Sequence, residues 1–358
     1  MNKSETASNA NKKNREMEND LELLNLIWHD SLSVSELYKP GPYWIKKTKS
    51  ALNELRNKGL IDFRGYFNGA ATSYGDNSFI DTRLENNYGL RSLFNLIYQR
   101  IYPFNSLFNS QVNLTRSYHK QLIQYKNKCF HSNPRVKELL EKYKIDFETT
   151  AGSCEQYLEI EGNKISHHYL EILSTIDAIN EFVSFSENTI FMEIGGGFGT
   201  NVHLLIELFD VRKIIYLDIS PNLYVGTKYL EYFYGKKVIN YKSNKNSPIK
   251  FGNNSDLEIF CILPHQIENI HTNIDVFHNA HSFVEMPKNV VKNYASILQS
   301  YLVPKKSFVS LVSYDNYNLS STFDPNELLS YFAGEPKSFS VKTLLEIDRS
   351  NFHFIIEM

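Results

Sequence analysis

The sequence predicts a doubly wound α/β sheet in the second half of the chain, behind a mainly helical first half. Three observations carry this. From residue 189 onward, short apolar strands alternate with amphipathic helices, the pattern of a parallel sheet with helices on both faces. The first of these strands, residues 189–193 (TIFME), runs into the glycine loop Gly195-Gly196-Gly197-Phe198-Gly199 and then a helix, NVHLLIELF. The chain closes on two β-like stretches, 339–345 and 352–358, with residues 348–351 between them as a hairpin turn. An antiparallel last strand requires such an ending.

The elements follow in order. Residues 1–18 are polar and without periodicity, which predicts a disordered tail. Residues 21–28 (LELLNLIW) open a helix, and Pro40-Gly41-Pro42 is a break. Residues 44–58 are helical, with Ile45, Leu52 and Leu55 on one face and Gly59 as the stop. Leu90, Leu93, Phe94, Ile97, Tyr98 and Ile101 make a third helical stripe. Asn133-Pro134 reads as an N-cap followed by proline at the first helical position. Ser166 is expected to cap a helix through about Phe182, burying Leu170, Leu173, Ile176 and Ile179. Further strands are expected at 213–218, 237–240, 257–263, 274–279 and 307–313, with helices at 222–234 and after 279. Asp324-Pro325 with Glu327 is a capping signature for one more helix. The expected organisation is a tail (1–18), a helical N-terminal cap or substrate domain (19–150) and an α/β domain (151–358).

Composition sets bounds on this. A chain of 358 residues with 42% hydrophobic residues accommodates two domains. A net charge of -2 advertises neither nucleic acid nor an anionic surface. The 3 cysteines are scattered, as a reduced compartment predicts. No apolar run reaches the roughly 20 residues of a membrane span, and the polar N-terminus lacks a signal-peptide pattern. A soluble cytoplasmic protein is expected, and a homo-oligomer is compatible with the sequence. The 14% aromatic content is assigned mainly to the core.

The glycine loop points to a nucleotide-like ligand, because glycine lets the backbone turn tightly and approach a ligand closely. A dinucleotide fingerprint requires Gly-x-Gly-x-x-Gly, but Thr200 stands where its last glycine belongs. The pattern is instead Glu193-x-Gly195-x-Gly197-x-Gly199, which resembles motif I of class I methyltransferases. Asp218, with Ile219 beside it, ends the second strand roughly 20 residues past the loop, where an acid bonds ribose hydroxyls. More of the chain then matches. Asp218-Ile-Ser-Pro221-Asn-Leu-Tyr224, Leu263-Pro264-His265-Gln266 and Asn279-Ala280-His281-Ser282-Phe283-Val284-Glu285-Met286 resemble the putative sugar O-methyltransferase family of bacterial surface-glycan gene clusters. The resemblance covers roughly residues 155–315; Ala280 and His281 depart from the family pattern. It implies a Rossmann-like class I methyltransferase sheet, S-adenosylmethionine as cofactor, and a small-molecule or glycan acceptor that is a sugar.

On that reading Glu193, Gly195, Gly197, Gly199, Asp218, Ile219, Pro264, His265, Gln266 and Asn279 hold the cofactor. A sugar hydroxyl is a weak nucleophile, so a base is wanted. His281 and Glu285, one helical turn apart in the segment after the strand at 274–279, are the candidates. His167, His168, Tyr169, Tyr224, His278 and Ser282 are candidate acceptor contacts. No His, Cys or carboxylate spacing suggests a metal. Three other readings compete. An NAD(P)-dependent sugar oxidoreductase or epimerase shares Asp218 but lacks a well-placed Tyr-x-x-x-Lys pair. A winged-helix DNA-binding module is suggested by residues 45–65, with Lys46, Lys47, Lys49, Arg56, Lys58 and Arg64. A natural-product methyltransferase would share the whole motif region.

Overall fold

The computed structural model describes residues 17–65, 120, 123–314, 325–341 and 351–358. The stripe from Leu90 to Ile101, Asp324 and residues 1–16 lie outside these, as does most of the expected 348–351 turn. Met17 is buried in the core, within the span 1–18 that the composition assigns to a tail.

Two β-sheets are present among the described residues. A hairpin pairs β1 (Tyr157–Ile160) with β2 (Asn163–Ser166). The main sheet contains β3 (Ile190–Ile194), β4 (Lys213–Leu217), β5 (Val238–Ile239), β6 (Glu258–Ile262), β7 (Val276–Ala280), β8 (Phe308–Tyr314), β9 (Glu335–Val341) and β10 (Asn351–Glu357). Their order is β5-β6-β4-β3-β7-β8-β10-β9. The first six are parallel, and β10 runs antiparallel between β8 and β9. This is the Rossmann-like α/β sheet that the sequence predicts, and its last two strands pair antiparallel, β9 beginning at Glu335 rather than at 339.

Alternation along β3 separates two cores. Phe191 packs with helices His167–Val183, Thr200–Phe209 and Asn222–Tyr234 on one face, while Met192 and Ile194 pack with helix Lys288–Gln299 on the other. The chain order reverses between β3 and β7, and ligands of such sheets sit outside the carboxyl ends of the strands at that point.

Several local expectations hold. Helix Pro42–Lys58 ends on Gly59 at φ 70, and Asn133 caps helix Pro134–Lys142 by accepting from the Arg135 and Val136 amides. Ser166 precedes helix His167–Val183, yet its side chain makes no cap bond. Its hydroxyl instead accepts from the buried Arg64 guanidinium at 2.8 Å. The β1–β2 hairpin was not expected; its signal is Glu161-Gly162, both at positive φ.

Residues 20–48 lie along the carboxyl edge and touch the segments that follow β4, β5, β6 and β7 in turn. The Asp20 amide donates to the Tyr224 hydroxyl at 2.9 Å, and Thr48 Oγ1 to the Ser220 carbonyl at 3.4 Å. Tyr241 donates to Asp30 at 2.7 Å, and Lys245 pairs with Asp30 at 2.6 Å. Tyr38 bonds Glu268, and Trp44 bonds Glu285.

Candidate functional site

The carboxyl ends of β3, β4 and β7 converge on the glycine loop. Gly195, Gly197 and Gly199 all take positive φ, at 78, 61 and 92, which side chains with a Cβ rarely adopt. Gly195 also needs the space: a Cβ there would lie 2.4 Å from the Ser282 hydroxyl. The loop is held from below. The Gly195 amide donates to the Leu217 carbonyl at 2.8 Å, and the Gly197 amide to Asp218 Oδ2 at 2.9 Å. Asp218 Oδ1 accepts from the Ile219 amide at 2.7 Å.

Tyr216, which the sequence reading passed over, braces the same loop. Its hydroxyl donates to the Gly197 carbonyl at 2.6 Å. The ring fits only because Gly226 has no side chain; a Cβ there would come within 2.1 Å of the hydroxyl. Tyr216→Phe keeps the ring and removes the bond. A net hydrogen bond is worth about 1 kcal/mol of folding stability, so the variant is expected to melt a few degrees lower and to hold a ligand seated on this loop up to about fivefold more weakly. Calorimetric titration checks this.

Two carboxylates define the electrostatics. Glu193 and Asp218 are 1% and 4% exposed. Burial pushes Glu193 up to about 8, against the favourable Asn201 bond and with a contribution from nearby Asp218. It pushes Asp218 up to about 7, against the Ile219 and Gly197 amides. Asn201 Nδ2 donates to Glu193 Oε1 at 2.5 Å, while Oε2 is buried without a hydrogen-bond partner. No basic side chain among the described residues pairs with either acid. A Cβ at Gly197 would meet nothing within 4 Å, so the loop borders open space beside these acids. Buried acids without a counter-charge suit a ligand that brings positive charge.

Several expected contacts are made within the protein instead. Asn279 is 1% exposed; its Nδ2 donates to the Ile194 carbonyl at 2.8 Å and to Ser282 Oγ at 2.5 Å. Its Oδ1 accepts from the Phe283 amide at 3.1 Å, so this side chain ties β7 to the end of β3 rather than offering a polar group to a ligand. Ser282 Oγ continues to the Ile194 carbonyl at 3.2 Å. Gln266 is likewise inward: it accepts from the Leu263 amide at 2.9 Å and donates to Asn244 Oδ1 at 2.8 Å. Pro264 is buried at the start of the same 3-10 turn, Pro264–Asn269. His265 remains half-buried at that strand end, beside the Tyr241 ring, and burial lowers its pKa.

Acceptor candidates divide similarly. His168 lies 5.4 Å from the Phe198 ring of the glycine loop and is half-buried. His167 stacks on Phe130 at 4.4 Å and bonds Asn127. Tyr169 is fully buried against His203 and Tyr229. The Tyr224 hydroxyl anchors the Asp20 amide. His278 lies in the sheet interior, where Ser310 bridges it to His353 at 3.0 and 2.9 Å. Burial, then the neighbouring His353 and His281, brings His278 down to about 3. In these four the side chain is buried in the protein interior.

The segment after β7 is not the helix expected to align His281 with Glu285. His281 takes φ 63, the Asn279–Phe283 bond follows, and Phe283–Glu285 is a 3-10 turn; the helix starts at Lys288. Side chains four apart therefore do not stack here by helical geometry. Burial holds His281 down at about 4, so its imidazole is uncharged at neutral pH. Glu285 Oε2 accepts from the Trp44 indole at 2.9 Å. Among the described residues no group of three or more His, Cys, Asp or Glu could hold a metal ion, and no helix is long and apolar enough to cross a membrane.

No family model matches the sequence, and no curated protein matches it. Solved structures with some likeness include TehB from Haemophilus influenzae, at 16% identity and a TM-score of 0.36, covering 51% of this chain and 61% of that one. The mitomycin 7-O-methyltransferase MmcR shows 13% identity and a TM-score of 0.36, covering 64% and 60%. MtNAS in complex with MTA and tNA shows 13% identity and a TM-score of 0.38, covering 89% and 99%. The chain thus spans about three fifths of the length of TehB and of MmcR.

Proposed function

We propose that this chain is an S-adenosylmethionine-dependent O-methyltransferase whose acceptor is a sugar hydroxyl. The observation that carries the donor is the pair of buried acids, Glu193 and Asp218, beside a glycine loop and without a basic partner. A ligand with a cationic sulfonium and an ammonium supplies the missing charge. Asp218 would hold the ribose hydroxyls, Glu193 and the loop the cationic end, and His265 would border the adenine. When bound, the donor supplies an activated methyl group on sulfur. Residues 19–150 then form the cap that selects the acceptor, and residues 151–358 the transfer domain. The sugar rests on the resemblance of the Asn279–Met286 segment.

The protein's own part is placement and proton removal. The glycine loop fixes one reactant, so that the acceptor oxygen meets the methyl carbon in line. With the donor bound, Glu285 or His281 would take the hydroxyl proton as the acceptor oxygen gains the methyl group and the donor leaves as a neutral thioether. His281 is unprotonated at neutral pH and a weak base at about 4; Glu285 takes the proton in the alternative. The test is calorimetry with S-adenosylmethionine and with NAD, then methyl transfer to a panel of nucleotide sugars. Binding of NAD alone refutes the donor. His281→Ala and Glu285→Ala are expected to keep donor affinity, and at least one to lose turnover ten- to a hundredfold or more; full turnover in both refutes the base assignment.

A further inference from the structure

Glu285 ends the 3-10 turn Phe283–Glu285, and its backbone is firmly placed. Its amide donates to the Ser282 carbonyl at 3.2 Å, and the turn begins on the Asn279 side chain. A glutamate still carries three rotatable side-chain bonds, and a base must meet its proton in one orientation. Trp44, 241 residues away in sequence, supplies a fixed point: its Nε1 donates to Glu285 Oε2 at 2.9 Å.

The approach of that indole is built in. Trp44 lies in the first turn of helix Pro42–Lys58, where its amide donates to the Gly41 carbonyl at 2.9 Å. Gly41 lets the helix start close against the turn; a Cβ there would be 3.2 Å from Pro287 Cδ and 3.4 Å from the Glu285 carbonyl oxygen. Lys47 Nζ sits 5.2 Å from the indole centroid and steadies the ring. An indole N–H only donates, so it orients a carboxylate without competing for a proton.

We propose that Trp44 is a positioning residue for Glu285: it holds one carboxylate oxygen so that the carboxylate meets the acceptor hydroxyl in a single orientation. The N-terminal segment thereby completes the reaction side of a site whose donor side belongs to the sheet. This rests on the reading of Glu285 as the proton acceptor in methyl transfer.

The experiment measures methyl transfer from S-adenosylmethionine to uridine- and thymidine-diphosphate sugars, with donor affinity by titration. The variants are Trp44→Phe, Glu285→Gln and the double variant, with Gly41→Ala as a second way to move the indole without altering either partner. Hydrogen bonds to charged groups and misorientation are each worth about tenfold or more. Trp44→Phe is expected to lower kcat about tenfold and leave the donor Kd within twofold. In the Glu285→Gln background it should cost nothing further, a non-additivity that general loosening of the fold would not produce. Gly41→Ala should show the same split to a smaller degree. If Trp44→Phe and Gly41→Ala keep full kcat, or their losses persist undiminished beside Glu285→Gln, the role of Trp44 is refuted while Glu285 stands. Full turnover in Glu285→Gln refutes the role of Glu285 and this one with it. A wild-type protein that methylates none of the sugars overturns the acceptor reading and, with it, this inference.

Discussion

Glu193→Gln is expected to abolish measurable S-adenosylmethionine binding and, at the same time, to make the ligand-free protein harder to unfold above pH 8. The two effects have one cause. In the folded chain the Glu193 carboxyl titrates near 8, far above its ordinary value of 4.5, because burial disfavours the charged form. Between those values the folded state keeps a proton that the unfolded chain releases, so stability falls as pH rises through that window. Above pH 8 the full penalty of the buried charge is present. Glutamine is nearly isosteric, can still accept from Asn201 and carries no charge, so it removes a penalty on the order of a few kcal/mol. It also removes the charge that meets the cationic ligand, which is worth about a hundredfold or more in affinity at a desolvated site. Melting curves at pH 5 and pH 8.5 decide the first half. The variant should match wild type at the lower pH and exceed it at the higher, and equal melting at both refutes the argument. In the wild-type protein the same linkage predicts that affinity for the proposed cationic donor rises with pH from about 6 to 9, because such a ligand favours the ionised acids.

Asn279→Ala is expected to cost about 3 kcal/mol of stability and to weaken donor binding in the same variant. The amide makes bonds to the Ile194 carbonyl, Ser282 Oγ and the Phe283 amide. Truncation strands buried groups at the end of β3 and at the start of the turn carrying Glu285, and each stranded group costs about 1–3 kcal/mol. Gly195 then loses its neighbour, since Ser282 is positioned by the same amide. Urea unfolding and titration check the pair. A loss below about 1 kcal/mol, or unchanged donor affinity, contradicts the role given to this side chain.

How much of this could be read from residues alone depended on distance along the chain. The glycine loop, its flanking strand and helix, and Asp218 are local signals, and all came together as spaced. The same holds for Gly59 and Asn133, whose conformations are dictated within a few residues. Polar residues at strand ends were the hard case. Gln266, Asn279 and Tyr224 have the chemistry of ligand contacts, and that chemistry serves a backbone amide or carbonyl equally well. Nothing in a linear pattern says which partner is nearer. The His281–Glu285 segment contains no helix breaker; the Asn279 side chain and the positive φ at His281 interrupt the helix that its spacing suggested. Tyr216 was missed because its partner Gly197 and its clearance at Gly226 are separate facts of three dimensions.

The contacts of residues 20–48 also set an order of events. Asp20 meets Tyr224 across 204 positions, Asp30 meets Tyr241 across 211, Tyr38 meets Glu268 across 230, and Trp44 meets Glu285 across 241. Loops of that span are slow to close, because the entropy of closure is lost before the contact repays it. On a ribosome the segment emerges early and waits until more than two hundred further residues have been added. Its apolar side chains Leu23, Leu24 and Ile27, fully buried in the finished protein, are exposed during that wait. A segment whose partners follow more than two hundred residues later leaves its apolar face without those partners during synthesis, a state that favours chaperone cover.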